Sequence, residues 1–262
     1  MAFPFDTFSE LYAHLASKMA DAEEPDPLPI RVWFTIDSAR MFPSLSTLQL
    51  YGLCNTVVVH STEKYVPGSW QDSFRLPTLA GPEMYTIPCE PVGDDVASTK
   101  LKGMDLWVER MQSEIHSLYK KAPFYPILET PFSELLEDLR KARSLRDAAV
   151  LSTVWIKNVL NLNWVVVNDY IVGPSITDRP PWEDIVDEVA TSLDAEALLV
   201  RETDWKTREC MVPCLRFTGG PTTYAKMNGE VSSRDYSTLD ALFVLGPGSV
   251  RMLVGRDREK AE

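Results

Sequence analysis

Apolar positions along this chain switch repeatedly between a period of two and a period near 3.6. Across Ile30 to Ile36 they alternate, with Val32, Phe34 and Ile36 on one side and Trp33 on the other, which predicts a buried strand. Residues 44–53 close up into an apolar helix, and Thr56-Val57-Val58-Val59 restores a strand. Met84 to Cys89 reads as a further short strand bounded by Pro88 and Pro91. Helical spacing returns over 104–121, where Leu106, Trp107, Met111, Ile115, Leu118 and Tyr119 recur and Pro123 ends the run. A helix over 132–143 follows, with Ser133 as its expected N-cap and Leu135, Leu136 and Leu139 as its apolar face.

The alternation continues to the end of the chain. It predicts a helix over 146–160, a strand over 164–167, a loop from Pro174 to Pro181, a helix over 182–193 and a strand over 197–200. Met211 to Phe217 reads as another strand, followed by a turn at Gly219-Gly220-Pro221. A helix over 237–245 stops at Gly246-Pro247, and Ser249 to Leu253 forms a last short helix. Strands that alternate with helices in this way predict an α/β fold, a mainly parallel sheet flanked by helices. In front of it, Phe8, Leu11, Leu15 and Met19 give 6–21 the spacing of a short amphipathic helix, and 22–28 is an acidic, proline-punctuated linker. The expected organisation is a helical arm and linker over 1–29, one α/β domain over 30–254 and a charged tail over 255–262.

Composition narrows the classes of function. The chain has 262 residues, 45% of them hydrophobic and 24% charged, enough for a sizeable core without a metal or disulfide staple. A net charge of −12 makes nucleic acid a poor partner, because phosphate backbones are held by lysine and arginine. Four cysteines and three scattered histidines do not supply a metal-ligand set; Cys210 and Cys214 lack two companions. No cofactor motif is evident: the Gly219-Gly220 turn lacks the lysine of a phosphate-binding loop. The opening Met-Ala-Phe-Pro-Phe-Asp has no basic stretch leading an apolar one, and no run of about 18 apolar residues exists. The expectation is a cytoplasmic protein with no membrane span.

Four blocks in order resemble the WbqC-like protein family. Phe42-Pro43 through Leu76 is similar to its opening block. Trp107, Arg110, Ile115, Tyr119 and Lys121-Ala122-Pro123-Phe124 resemble its long helix. Pro221, Tyr224 and Gly229-Glu230 form the third block, and Tyr236 to Phe243 with Leu245-Gly246-Pro247 the last. Some polar positions differ from the family's pattern. Ser38-Ala39 stands where the family has Gln-Pro, Ser61-Thr62 where it has Asp-Asp, and Asp72-Ser73-Phe74-Arg75 where it has Asn-Arg-Asn-Arg. Met111 stands for a histidine and Gly220 for the histidine of a His-Pro pair. The resemblance implies amide-forming acyl or aminoacyl transfer in O-antigen, other polysaccharide or natural-product biosynthesis. The substrate would be a small molecule, including one held on a carrier protein or linked to a nucleotide. A thioester hydrolase or cyclase acting on a carrier-bound substrate, and a non-catalytic binding or scaffold protein, are the alternatives.

Acyl transfer needs a base or nucleophile, donors for an oxyanion and a grip on the substrate. His60 follows a buried strand, where an imidazole titrating near neutral pH serves as general base. Cys89, at another strand end, is the candidate nucleophile if it faces His60. Ser61 adjoins His60 but points to the other side of a continuing strand. Ser38, Ser61, Trp70, Arg75, Tyr119 and Tyr224 are the candidate substrate-binding residues, with Arg75 clamping a carboxylate or phosphate and Trp70 walling the pocket. The expectation is that His60 and Arg75 open into one hollow at a rim of the sheet. Asp240, inside an apolar helix, calls for a structural partner such as an arginine or a helix N-terminus.

Overall fold

The computed structural model describes residues 32–78, 80–168, 182–201, 210–217, 224–225, 231–232 and 236–255; the expected arm over 1–29, the loop over 174–181, the Gly219-Gly220-Pro221 turn and the tail beyond 255 lie outside them. In chain order the elements are β1 (Trp33–Ser38), α1 (Leu45–Leu53), β2 (Thr56–His60), β3 (Ser73–Thr78), β4 (Gly81–Thr86), β5 (Cys89–Glu90) and β6 (Lys100–Leu101). Then come α2 (Met104–Tyr119), α3 (Tyr125–Lys141), α4 (Leu145–Leu160), β7 (Val165–Asn168), α5 (Trp182–Leu193) and β8 (Ala197–Arg201). β9 (Cys214–Phe217), β10 (Tyr224–Ala225), β11 (Val231–Ser232) and α6 (Thr238–Gly255) complete the series.

Five strands form one sheet in the order β7-β2-β1-β8-β9, and every neighbouring pair is parallel. The fold is therefore α/β, as the alternation of periods predicts. β1 is central. The chain lays β2 and then β7 to one side of it, returns, and lays β8 and β9 to the other. Open parallel sheets bind ligands outside the carboxyl ends of their strands, where the order reverses, here between β1 and β8.

Side-chain alternation splits the sheet between two cores. Val57, Val59, Val166 and Leu199 face the larger core, together with α1, α4 and α6. Phe34, Ile36, Val58, Val167 and Leu198 face the smaller one, covered by Val186, Val189, Ala190 and Leu193 of α5. The close approach of α1 to α6 needs glycine at position 52, where a Cβ would lie 2.6 Å from Val254 Cγ1. Ser44 caps α1 by accepting the Thr47 N–H at 3.4 Å, and Ser144 with Asp147 forms a reciprocal capping box on α4.

Two elements differ from the sequence expectation, both because of proline. Helix α3 begins at Tyr125, seven residues before 132, with Pro126 in its first turn and Pro131 inside it. Pro131 removes one helix hydrogen bond, but its own carbonyl accepts the Trp155 indole N–H at 3.0 Å. The expected strand over 84–89 is instead the second arm of the β3–β4 hairpin, in which Pro77 and Pro82 lie opposite each other beside the turn. Both prolines are tolerated there, at the end of a two-stranded ladder. The break at Gly246-Pro247 is present as expected: Gly246 has φ 80°, so α6 is two helical pieces.

Candidate functional site

The carboxyl ends of β1, β2 and β8 gather the charged and polar residues of the parallel sheet. β1 ends in Asp37-Ser38 and β2 in Val59-His60, registered so that Asp37 lies opposite Val59 and Ser38 opposite His60. The Ala39 N–H donates to the His60 carbonyl at 3.1 Å, extending the ladder past both side chains. Ser38 and His60 are both buried and fall on the face shared with Ile36 and Val58. Laterally registered residues of neighbouring strands stand about 4.8 Å apart, so the structure brings these two expected site residues side by side.

Asp37 projects to the opposite face and is fully engaged. It accepts from Arg40 Nε at 3.0 and 3.1 Å, from the Tyr51 hydroxyl at 3.0 Å and from the Ser38 N–H at 2.9 Å. Burial and then the Asp37 charge hold the Tyr51 hydroxyl well above its ordinary range, so it stays a donor. The Arg40 guanidinium lies 3.7 Å from the centroid of the Trp70 ring. Trp70 thus joins the site through Arg40. Arg75 does not take that place: it turns its side chain to solvent on β3, between buried Phe74 and Leu76.

Glu63, three residues beyond β2, supplies a second carboxylate. It accepts from the Gln71 amide at 2.5 Å. Burial raises its carboxyl above the ordinary value, Gln71, His60 and Arg40 pull it down, and Asp37 pushes it up. His60, Glu63, Asp37 and Arg40 therefore share one electrostatic field. From β8, an Arg201 Nη reaches the Thr47 hydroxyl in the first turn of α1, while its Nε is buried without a hydrogen-bond partner. The Ser38 hydroxyl is likewise buried and without a partner.

The remaining expected residues are elsewhere. Cys89 lies in the short β5–β6 ladder, and the groups that act on its thiol are Tyr65 and Asp72, not His60. Burial pushes that thiol up to about 11, Tyr65 lowering it and Asp72 raising it, the reverse of what a nucleophilic cysteine needs. Tyr119 and Tyr224 are buried and spend their hydroxyls on Asp240: Tyr119 donates to Oδ1 at 2.8 Å and Tyr224 to Oδ2. Two partners of Asp240 are thus phenols, and the carboxylate also lies in the first turn of its own helix. Ser61 is fully buried one residue beyond the end of β2, and its carbonyl accepts the Ala97 N–H at 2.9 Å.

A model of the WbqC-like protein family matches residues 39–252. The chain belongs to that family. Neither a search of curated proteins nor a search of solved structures finds a match for this WbqC-like protein.

Sequence reasoning missed Asp37, Arg40, Tyr51, Glu63, Gln71 and Arg201. Arg201 carried the same signal as His60, a polar residue ending an apolar strand; Tyr51 and Gln71 carried none. A solvent-open groove of about 710 Å³ lies between α2 and α3, lined by Gln112, Glu129, Glu134, Glu137, Asp138 and Lys141 among others, and no residue of the sheet edge reaches it. Among the described residues, no group of three or more histidine, cysteine or acidic side chains is arranged to hold a metal ion, and no helix is long and apolar enough to cross a membrane.

Proposed function

We propose that this WbqC-like protein is an acyl or aminoacyl transferase that forms an amide in polysaccharide or natural-product biosynthesis, working in the cytoplasm on a small molecule activated as a thioester or linked to a nucleotide. The supporting observation is His60 registered beside Ser38 at the carboxyl edge of the parallel sheet, within the electrostatic field of the Glu63 carboxyl. In this reading a C–N bond forms between the acceptor amine and the acyl carbon, and His60 removes the proton of the attacking group. The C–S bond of the donor breaks, and His60 returns the proton to the leaving thiolate.

The test uses the full chain with a panel of acyl and aminoacyl pantetheine thioesters, each paired with glycine or an amino sugar, and reads amide products by mass. The expected result is an amide whose rate of formation falls by about 10²-fold or more in His60→Ala with the fold retained. Amide formation at the wild-type rate by His60→Ala, or none from the intact chain with any pair, overturns the proposal.

A further inference from the structure

We infer that Ser38 is the nucleophile of this site, taking the acyl group as an ester before the acceptor amine arrives; the inference rests on the acyl-transfer reading above. Three observations carry it. Ser38 and His60 are registered neighbours on adjacent parallel strands and project to the same face. The Ser38 hydroxyl is buried with no hydrogen-bond partner, although the residue is only 8% exposed. A buried polar atom left unpaired in a native fold calls for a reason, and a hydroxyl kept for a reacting group is one. The pair also lies at the carboxyl edge of the sheet, one strand from the reversal of strand order.

The alternatives fall away on geometry. Cys89 sits in a separate ladder with Tyr65 and Asp72. Ser61 lies beyond the end of β2, outside its register with β1. Ser38 is the serine registered beside His60 on the neighbouring strand, and nucleophile–base contacts are often loose before substrate arrives.

The chemistry balances without a further reagent. The Ser38 oxygen bonds to the acyl carbon of the thioester as His60 takes the hydroxyl proton. The C–S bond breaks and the thiolate leaves with that proton. The acceptor amine then attacks the ester carbon, its proton passes through His60 to the Ser38 oxygen, and the C–O bond breaks to regenerate the hydroxyl. The net change is one thioester and one amine converted to one amide and one thiol.

The test traps the ester. The full chain is incubated with p-nitrophenyl acetate, and separately with a fluorophosphonate, quenched in acid and peptide-mapped. The expected result is modification of the peptide bearing Ser38, absent in Ser38→Ala and slowed about 100-fold or more in His60→Ala. Ser38→Cys conserves a nucleophile of similar volume, and is expected to take the acetyl group as a thioester released by hydroxylamine. Modification on Cys89, or modification unchanged in Ser38→Ala, overturns the inference. If the intact chain forms amides and Ser38→Ala forms them equally fast, transfer is direct: the nucleophile is refuted while the transferase reading stands. If Ser38 is acylated but no thioester and amine pair yields an amide, the nucleophile stands and the amide-forming reading falls.

Discussion

Asp240 offers the sharpest test of how this fold is held together. Its carboxylate is 2% exposed and takes one phenol on each oxygen, from Tyr119 of α2 and Tyr224 of β10. The cluster therefore ties three segments to one charge, and the Tyr119 ring adds a contact at 4.8 Å to Phe243 one turn along α6. Burial and then the Asp240 charge hold the Tyr119 hydroxyl well above its ordinary range, so it donates throughout the accessible pH range. A hydrogen bond to a charged group contributes about 1.5–3 kcal/mol, so Tyr119→Phe is expected to cost about that much. With a urea dependence near 3 kcal/mol/M for a chain of this size, the midpoint should fall by about 0.5–1 M. Asp240→Ala leaves two buried phenols without their acceptor and should cost about 2–6 kcal/mol, roughly 1–3 for each stranded donor.

Non-additivity separates this account from a generic packing loss. In the wild-type background Asp240→Asn is destabilising, because an amide accepts from one phenol less strongly and offers the other a donor. In the Tyr119→Phe/Tyr224→Phe background both phenol hydroxyls are gone, so Asp240→Asn should cost less there than in the wild type. Urea unfolding of the four combinations at neutral pH gives a coupling energy directly, expected between about 1 and 3 kcal/mol. Single Tyr→Phe losses each below about 0.5 kcal/mol, or additive effects across the cycle, would refute the claim that these phenols solvate the charge.

Two further outcomes follow from the titratable groups. The Cys89 thiol, pushed up to about 11, holds about 100-fold less thiolate than an ordinary cysteine of pKa 9 at mild pH; higher intrinsic nucleophilicity offsets part of this, leaving iodoacetamide labelling of the folded chain about tenfold slower than of a model thiol, and labelling as fast as a model thiol at pH 8 contradicts the assignment. Burial raises Glu63 above 4.5, so the folded state holds that proton longer than the unfolded one; its contribution is fully present below 4.5 and is lost as pH rises through the folded value. Glu63→Gln abolishes the titration, and urea midpoints measured between about pH 4 and 8 should shift progressively in the variant's favour; parallel profiles for the two proteins would count against it.

The sheet was legible because its strands are short apolar runs with helical spacing between them. Elements whose signal was masked by proline were not: Pro131 hid the first two turns of α3, and Pro77 and Pro82 hid the β3–β4 hairpin. At the site, Ser38 and His60 could be picked out singly as polar residues ending apolar strands. Their adjacency could not, because it depends on register, and a shift of one residue would have put one of them on the other face. Tyr119, Tyr224 and Asp240 were each visible as polar residues in apolar surroundings. What no local pattern contained was that the three satisfy one another, with Tyr119 and Asp240 separated by 121 positions.

The same register bears on the positions where this WbqC-like protein departs from the family pattern it resembles. The altered residues at 38–39 and 61–62 are the continuations of β1 and β2, and they lie beside one another across the ladder. Ser61-Thr62 is followed at once by Glu63, and Asp37 immediately precedes Ser38 on β1. The edge therefore carries two carboxylates, one near the end of β1 and one just beyond β2. On a strand, a step of one residue reverses the direction of the side chain. Asp37 is consequently turned toward α1, where Arg40 and Tyr51 neutralise it, and the position that faces His60 is left to a small neutral hydroxyl. In the proposed reading, a serine beside an imidazole would make this edge a nucleophile with a base next to it, where an amide at position 38 would offer only polar contacts. Restoring Gln at position 38 would fill that space with an amide and remove the hydroxyl, so Ser38→Gln distinguishes a site that needs only polarity from one that needs the serine oxygen.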